Sequence, residues 1–433
     1  MDNNPAKSKY YERKLLKEIK PYFNSREIIT IVGSRQVGKT TLLEIIFKHV
    51  SKLKKCRFLT FENRSDLEIF DNDIESFKKL YVLPNEAVFI DEFQYGKDAG
   101  QKLKYLFDTT STKFFITGSS SLETKEVGKY LVGRILAFYL GPFSFSEYLQ
   151  AKDSELFSIF ERSFTSVYQL LKGEGADLKS LPQSKTLKGK IKDHFEKYII
   201  FGGFPRVVVA KEEEEKKLIL RNILDTYLLR EIRSLLHLAT ENKLLTLSRF
   251  LGLSMGSLLS FNELGNSTGL SYEEIKKHLQ ILQETFIVHL AYPYYTNRRT
   301  ELVKNPKVYF TDNGFRNNII DNFVAPLQRS DTGSLVENFV FNCLKETSVL
   351  QPRVNFWRTK SQAEVDFVVD FGEGIIPLEV KYSPMGRKVI GKSMYSFIAK
   401  YSPKRAYITT NDDFGKRIVD KCTIYFIPVY YLL

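Results

Sequence analysis

The chain has 433 residues, 43% hydrophobic and 27% charged, the balance of a globular protein of two to four domains with a large core. Lys and Arg outnumber Asp and Glu by 64 to 51, a net charge of +13 that favours polyanionic partners without specifying one. With no apolar run near the roughly 18 residues of a membrane helix and no secretory signal, the expectation is a cytoplasmic protein without a membrane partner. The scattered Cys56, Cys343 and Cys422 suit a reducing compartment and suggest neither a disulfide framework nor a zinc site.

Residues 1–170 alternate apolar strands with helical stretches. EIITIVG (27–33), CRFLTFE (56–62), AVFID (87–91) and KFFITG (113–118) read as strands, with TTLLEIIFKHV and the stretch around QKLKYLFD as helices between them. That alternation predicts an α/β domain, a parallel sheet with helices on both faces. Between the first strand and its helix lies GSRQVGKT (33–40), a match to G-x-x-x-x-G-K-[ST]. In this loop Gly33, Ser34, Arg35, Gln36, Val37 and Gly38 would turn backbone N–H groups toward phosphate oxygens of ATP. Lys39 would reach the β- and γ-phosphates, the Thr40 hydroxyl would bind Mg²⁺, and Thr41 would follow on the helix. AVFIDE (87–92) supplies a partner: Asp91 for Mg²⁺, and Glu92 to orient or deprotonate the attacking water. Ser119 or Ser120, in ITGSSS, would sense the γ-phosphate or, alternatively, cap a helix, and Arg134 would supply transition-state charge in its own site or a neighbour's or, alternatively, be an ordinary surface arginine.

Residues 171–240 read as a Gly-, Ser- and Lys-rich linker followed by a helical lid, broken by the FGGFPR turn at 201–206. Residues 241–325 have the order of a winged helix-turn-helix: two helices joined by a Gly-containing turn, then two strands. Ser271 and Glu274 form a capping-box pattern at the second helix. Lys276, Lys277 and His278 on or near its exposed side, with Arg298 and Arg299 in the wing, would contact DNA phosphates; Glu273 and Glu274 weaken that reading, and protein–protein contact is the alternative.

The segments GSRQVGKTTLL, VFIDEFQ, ITGSSS, LVGR with LGPFSFSEYL, and GGFPRVV resemble, in this order, a family of prokaryotic AAA-type ATPases with a C-terminal region of unknown function. The resemblance covers nearly the whole chain. It implies an AAA-like core with ATP and Mg²⁺, the roles given for Lys39, Thr40, Asp91 and Glu92, and functional parts for Ser119 and Arg134. Phe204-Pro205 stands where that family often has Tyr-Pro, and Arg206 is a candidate second sensor of nucleotide state.

Residues 326–433 read as a second α/β domain whose hairpin, AEVDFVVDFGEGIIPLEVKYS (363–383), places Val365, Phe367 and Val369 on one face. A symmetric turn at Gly372-Glu373 would set Asp366 opposite Glu379 with Lys381 on the same face. Opposed carboxylates repel unless a cation such as Mg²⁺ or Mn²⁺ joins them. D-x(n)-E-x-K resembles the PD-(D/E)xK nuclease superfamily, including Holliday-junction resolvases and restriction-like endonucleases. That resemblance implies Asp366 and Glu379 as metal ligands, Lys381 as catalytic, and Glu337 joining from the preceding helix; the usual Pro before the Asp is Val365 here. The simpler alternative is that Lys381 only neutralises Glu379. The whole reads as a Mg²⁺-dependent ATPase acting on DNA, which its C-terminal domain binds or cleaves. The alternative is a nucleotide-driven switch whose C-terminal domains bind proteins, and a homo-oligomer is compatible with both.

Overall fold

A computed structural model describes residues 11–118, 129–161, 184–226, 242–297, 299, 301, 304–346, 352–370, 372, 374–382 and 389–432. The chain divides into two compact units: residues up to Pro142 with Glu284–Phe286, and the remainder.

In the first unit, β1 (Ile28–Val32), β2 (Cys56–Thr60), β3 (Ala87–Asp91), β4 (Lys113–Gly118) and β5 (Ile135–Tyr139) form a parallel sheet in the order β2-β3-β4-β1-β5. Every residue of β1, β3 and β4 is buried. Their uninterrupted apolar runs are what central parallel strands, covered on both faces, require. Phe89 and Phe115 stack across β3 and β4 with ring centroids 4.4 Å apart. The helices are α1 (Lys14–Ile19), α2 (Lys39–Val50), α3 (Arg64–Asn72), α4 (Ile74–Phe77) and α5 (Ala99–Thr109). Helix α2 buries Leu42, Leu43, Ile46 and Val50, apolar positions three to four residues apart on one stripe.

The second unit begins with α6 (Phe145–Lys152), α7 (Lys185–Phe201), α8 (Pro205–Val209) and α9 (Glu213–Ile223). Helix α6 starts on a capping box between Ser144 and Glu147. Next come α10 (Asn242–Leu253), α11 (Phe261–Thr268), α12 (Tyr272–Glu284), and the antiparallel pair β6 (Val288–Ala291) and β7 (Lys307–Phe310). The turn between α11 and α12 runs through Gly269, at φ +65°. The expected capping box opens α12: the Ser271 N–H donates to Glu274 Oε2 at 2.8 Å, and the Glu274 N–H to Ser271 Oγ at 3.3 Å. Met255 and Leu258, between α10 and α11, form bridges to Val308 and Lys307.

After α13 (Asn313–Ile319) and α14 (Thr332–Lys345) comes a mixed six-stranded sheet in the order β12-β13-β11-β10-β9-β8. Its strands are β8 (Arg353–Arg358), β9 (Glu364–Asp370), β10 (Ile375–Glu379), β11 (Arg405–Thr410), β12 (Gly415–Val419) and β13 (Cys422–Pro428), with α15 (Lys392–Tyr401) between β10 and β11. Strands β8, β9 and β10 are antiparallel neighbours, whereas β10 and β11 run parallel.

Aromatic packing runs between the elements of the second unit. Phe195 of α7 meets Phe145 of α6 at 5.7 Å and Phe339 of α14 at 4.9 Å. Tyr309 of β7 stacks on Phe341 of α14 at 4.3 Å and touches Phe367 of β9 at 5.7 Å. Beneath them Arg316, 1% exposed, donates to Asp331 at 2.5 Å, and Arg329 donates to the same carboxylate at 2.6 and 2.9 Å.

The hairpin departs from simple alternation. The β9–β10 pairing holds the expected register from Asp370 opposite Ile375 to Phe367 opposite Leu378. On the other edge of β9, the ladder to β8 shifts between Asn355 and Trp357. Such a bulge re-aims side chains. Val365 and Val368 join the core beside Phe397 of α15, while Phe367 packs on Tyr309 and Phe341. Both faces of the hairpin are therefore covered, with Val365 and Val368 turned to one side and Phe367 to the other.

Candidate functional site

Two clusters carry chemistry, one in each unit. In the first, the strand order inserts β4 between β1 and β3, so three strand ends meet beside the 33–40 loop, at the carboxyl edge where open α/β sheets bind ligands. A Cβ on Gly33 would sit 2.1 Å from the Leu140 carbonyl oxygen, so only glycine lets the loop leave β1 here. Gly38, at φ +93°, starts α2, whose N-terminal N–H groups and dipole favour an anion. Lys39 is 5% exposed and donates to the carbonyls of Gly33 and Ser34, each at 2.9 Å. The buried Ser34 hydroxyl and Gln36 Oε1 have no hydrogen-bond partner among the described residues. Arg35 reaches the Tyr95 hydroxyl at 3.2 Å, Val37 is buried, and Thr41 is exposed.

The Thr40 hydroxyl donates to Asp91 Oδ2 at 2.9 Å, joining the two expected Mg²⁺ ligands. Thr117 of β4 donates to Asp91 Oδ1 at 2.6 Å and accepts the Glu92 N–H at 3.0 Å. Glu92 takes a left-handed backbone, φ +52°, costing on the order of 1–3 kcal/mol. Gln94 Nε2 donates to Glu92 Oε2. Paired oxygens beside a helix N-terminus, with an orphaned hydroxyl in the loop, fit a Mg²⁺–triphosphate.

Two positions that motif reading passed over belong here. Thr117 sits inside the apolar KFFITG strand, where only the neighbouring strand order gives its hydroxyl a role. Arg13, 5% exposed, donates to the Val37 carbonyl at 2.8 Å, to Gly141 O at 2.8 Å and to Pro142 O at 3.3 Å, clasping the phosphate loop from behind.

Arg134 is placed differently from its expected role within the same chain. Its carbonyl receives the Ile28 N–H, so it stands at the opening end of β1 and β5. The phosphate loop lies beyond the far end, five residues or roughly 16 Å away. Its guanidinium pairs with Asp108 at 2.9 Å. Ser119 and Ser120 lie outside the described residues.

In the second unit Arg206 is exposed on α8. Lys276 and Lys277 are exposed on α12 with Glu273 and Glu274. His278, by contrast, is 3% exposed, its Nδ1 against the Glu274 carbonyl, and burial lowers its pKa; it is not a phosphate contact. Arg299 is exposed, and Arg298 lies outside the described residues.

The hairpin acids come together around a lysine. Lys307 of β7, 2% exposed, pairs with Glu337 at 3.1 Å and Glu364 at 2.6 Å. Glu337 also accepts from the Tyr309 hydroxyl at 2.6 Å, and Glu364 pairs with Arg358 at 3.0 Å. Glu379 pairs with Lys381 at 3.1 Å, and Asp366 Oδ2 accepts the Val380 N–H at 2.7 Å. Burial, then the Glu337 charge, push Asp366 up to about 8, against the opposing pull of Lys307. Burial alone would lower Lys307, but Glu337, Glu364 and Asp366 outweigh it and hold it above the usual lysine range. Among the described residues no three acidic, His or Cys side chains converge to hold a metal ion. The residues expected to ligate Mg²⁺ or Mn²⁺ do not fit that ion here: the attraction that would draw it in is already answered by Lys307 and Lys381. Glu364 and Lys307 were missing from the sequence-derived site, Lys307 because it lies on a strand of the preceding segment.

Residues 25–149 match the family described as AAA domain, residues 192–324 a domain of unknown function (DUF8612), and residues 332–432 another (DUF4143). An uncharacterized protein of Methanocaldococcus jannaschii is 26% identical over 365 residues, covering 82% of this chain and 75% of that protein. An uncharacterized protein of Haemophilus influenzae is 26% identical over 381 residues, covering 83% and 84%. The structure of AMPPCP-bound DnaA from Aquifex aeolicus aligns at 11% identity over 62% of this chain and 86% of that one, with a TM-score of 0.24, a likeness too weak to carry an argument. The first unit is a P-loop domain of the AAA type, built to bind nucleotide. Among the described residues no helix is long and apolar enough to cross a membrane.

Proposed function

We propose that the chain is a Mg²⁺-dependent ATPase that acts on nucleic acid. The observation that carries the hydrolytic half is the 2.9 Å hydrogen bond between Thr40 and Asp91. It unites a loop that fits phosphates with a strand end that fits the ion. Thr40 and Asp91 would hold Mg²⁺, which when bound offsets charge on the β- and γ-phosphate oxygens. Lys39 exchanges its two carbonyl acceptors for phosphate oxygens, and loop N–H groups with the Ser34 hydroxyl complete the cradle. Glu92 accepts the proton of the attacking water, oriented by Gln94 at its carboxylate and Thr117 at its N–H. Arg134 reaches a phosphate only as a neighbour's residue in a homo-oligomer, since its own loop lies at the other end of the sheet. Turnover in Glu92→Gln tests this reading: a loss of roughly 10²–10⁴-fold is expected, and parent-like turnover would overturn it.

The nucleic-acid half is supported by the order α10, the 255–258 bridges, α11, α12, β6 and β7, which suits a winged helix-turn-helix. Lys276 and Lys277 stand exposed on α12, and the net charge of +13 favours a polyanion. The order α14, β8, β9, β10, α15, β11, with β10 and β11 parallel, supports a restriction-endonuclease-like C-terminal domain that binds duplex or branched DNA. Binding should weaken steeply with salt and lose about one unit of log–log slope per phosphate-contacting lysine removed. The exposed Glu273 and Glu274 favour a second reading, a nucleotide switch that binds proteins. Absence of DNA binding at low salt would select it.

A further inference from the structure

Lys307 stands between carboxylates of two elements, Glu337 and Glu364, and Lys381 stands beside a third, Glu379. We propose that Lys307, beside Glu337, Glu364 and Asp366, and Lys381, beside Glu379, are the resident cations of these carboxylates, so that this domain works without a divalent metal and does not cleave phosphodiesters. This holds whether or not the first unit hydrolyses ATP.

The ion pairs carry the argument. Lys307 Nζ lies 3.1 Å from Glu337 Oε1 and 2.6 Å from Glu364 Oε1, a bridging position between two elements, α14 and β9. Mg²⁺ or Mn²⁺ bound to the same oxygens, at roughly 2.0–2.2 Å, would stand almost against that ammonium, and the two charges exclude one another. Lys307 cannot readily leave. It is 2% exposed, its backbone pairs with Ala291 and bridges to Leu258, and its ammonium lies 5.4 Å from the centre of the Phe356 ring.

Charge accounting agrees. Glu337, Glu364 and Glu379 are three negative charges; Lys307, Arg358 at 3.0 Å from Glu364, and Lys381 at 3.1 Å from Glu379 are three positive ones. Of these four carboxylates, Asp366 has no ion pair among the described residues, and its Oδ2 already accepts the Val380 N–H. A divalent ion would add two positive charges where at most one negative charge is left. Lys381, which a nuclease reading would aim at a phosphate, is drawn instead to Glu379 and to the Val389 carbonyl at 3.2 Å.

Mn²⁺ titration of the nucleotide-free full chain, followed calorimetrically or by the free-ion electron spin resonance signal, tests the proposal. The parent and Asp366→Asn are expected to behave alike up to millimolar ion, and neither should cut duplex or four-way-junction DNA with Mg²⁺ or Mn²⁺. Mn²⁺ binding by the parent that weakens tenfold or more in Asp366→Asn would overturn it, as would cutting lost in Asp366→Ala. Lys307→Met, which keeps length and removes charge, is expected to gain Mn²⁺ affinity by tenfold or more, with a melting temperature that rises on adding the ion. A folded Lys307→Met without that gain would also overturn the proposal. If that variant does not fold, the parent against Asp366→Asn decides alone.

Discussion

The phosphate loop and the C-terminal carboxylate cluster are opposite solutions to gathering charge and polar groups. The loop of the first unit collects donors, including helix N–H groups, the Ser34 hydroxyl and the Lys39 ammonium, which donates to the Gly33 and Ser34 carbonyls while the Ser34 hydroxyl stays without a partner among the described residues. The cluster of the second unit collects carboxylates and answers each pairing with a side chain of the same unit: Lys307, Arg358 and Lys381. Arg316 and Arg329 around Asp331 repeat that pattern with both guanidiniums nearly buried. A site whose polar groups are weakly matched within the protein is one an outside ligand can complete. A site already paired stabilises the fold instead, because a further ion must displace contacts of comparable strength.

The comparison can be broken most decisively at Lys39. Lys39→Ala should cut ATP turnover by roughly 10²–10³-fold, as loss of a donor to developing charge does, whereas Asp366→Ala should leave turnover within about twofold. Equal losses in the two variants would show that the cluster takes part in hydrolysis.

Next in size is the arginine pair. Asp331→Ala leaves two nearly buried guanidiniums without their carboxylate and should destabilise the protein by about 3 kcal/mol, read in urea melts. Burial alone would raise the Asp331 pKa, but hydrogen bonds from Arg329 and Arg316 outweigh it and hold the carboxyl at about 2. A depressed folded value means that this stability is present above the unfolded value, near 3.8, and is lost as pH falls toward 2. The parent should therefore lose more stability than Asp331→Asn between pH 4 and pH 2, and parallel curves would remove the argument.

Smaller effects sharpen the picture of the loop. Thr117→Val removes one bond to Asp91 and one from the Glu92 N–H. At about 1–3 kcal/mol for buried hydrogen bonds, it should slow turnover by roughly ten- to a hundredfold with little change in KM. Arg13→Ala should act the other way, weakening ATP binding by about tenfold through a loosened Val37 carbonyl, with Arg13→Lys recovering part of it. A kcat effect alone would show that Arg13 does not position the loop for binding.

Sequence by itself determined four of the first unit's five strands, missing β5, together with the loop at 33–40 and the Asp91–Glu92 pair, because these signals are local: apolar run length, glycine placement and a lysine at fixed spacing. It also determined the capping box at Ser271 and Glu274 and the hairpin register as far as Phe367 opposite Leu378. What tertiary structure decided is non-local. Strand order gave Thr117 its place beside Asp91, and put Arg134 at the wrong end of the sheet for its own loop. Packing turned His278 inward, and a bulge at the β8–β9 edge covered the hairpin's second face. Above all, Lys307 reaches the hairpin acids from a strand more than fifty residues earlier, and no spacing rule along one element can reveal such a partner. The carboxylates could be read from sequence as a cluster seeking a cation; that the cation is a lysine of the same chain follows only from which strands lie side by side.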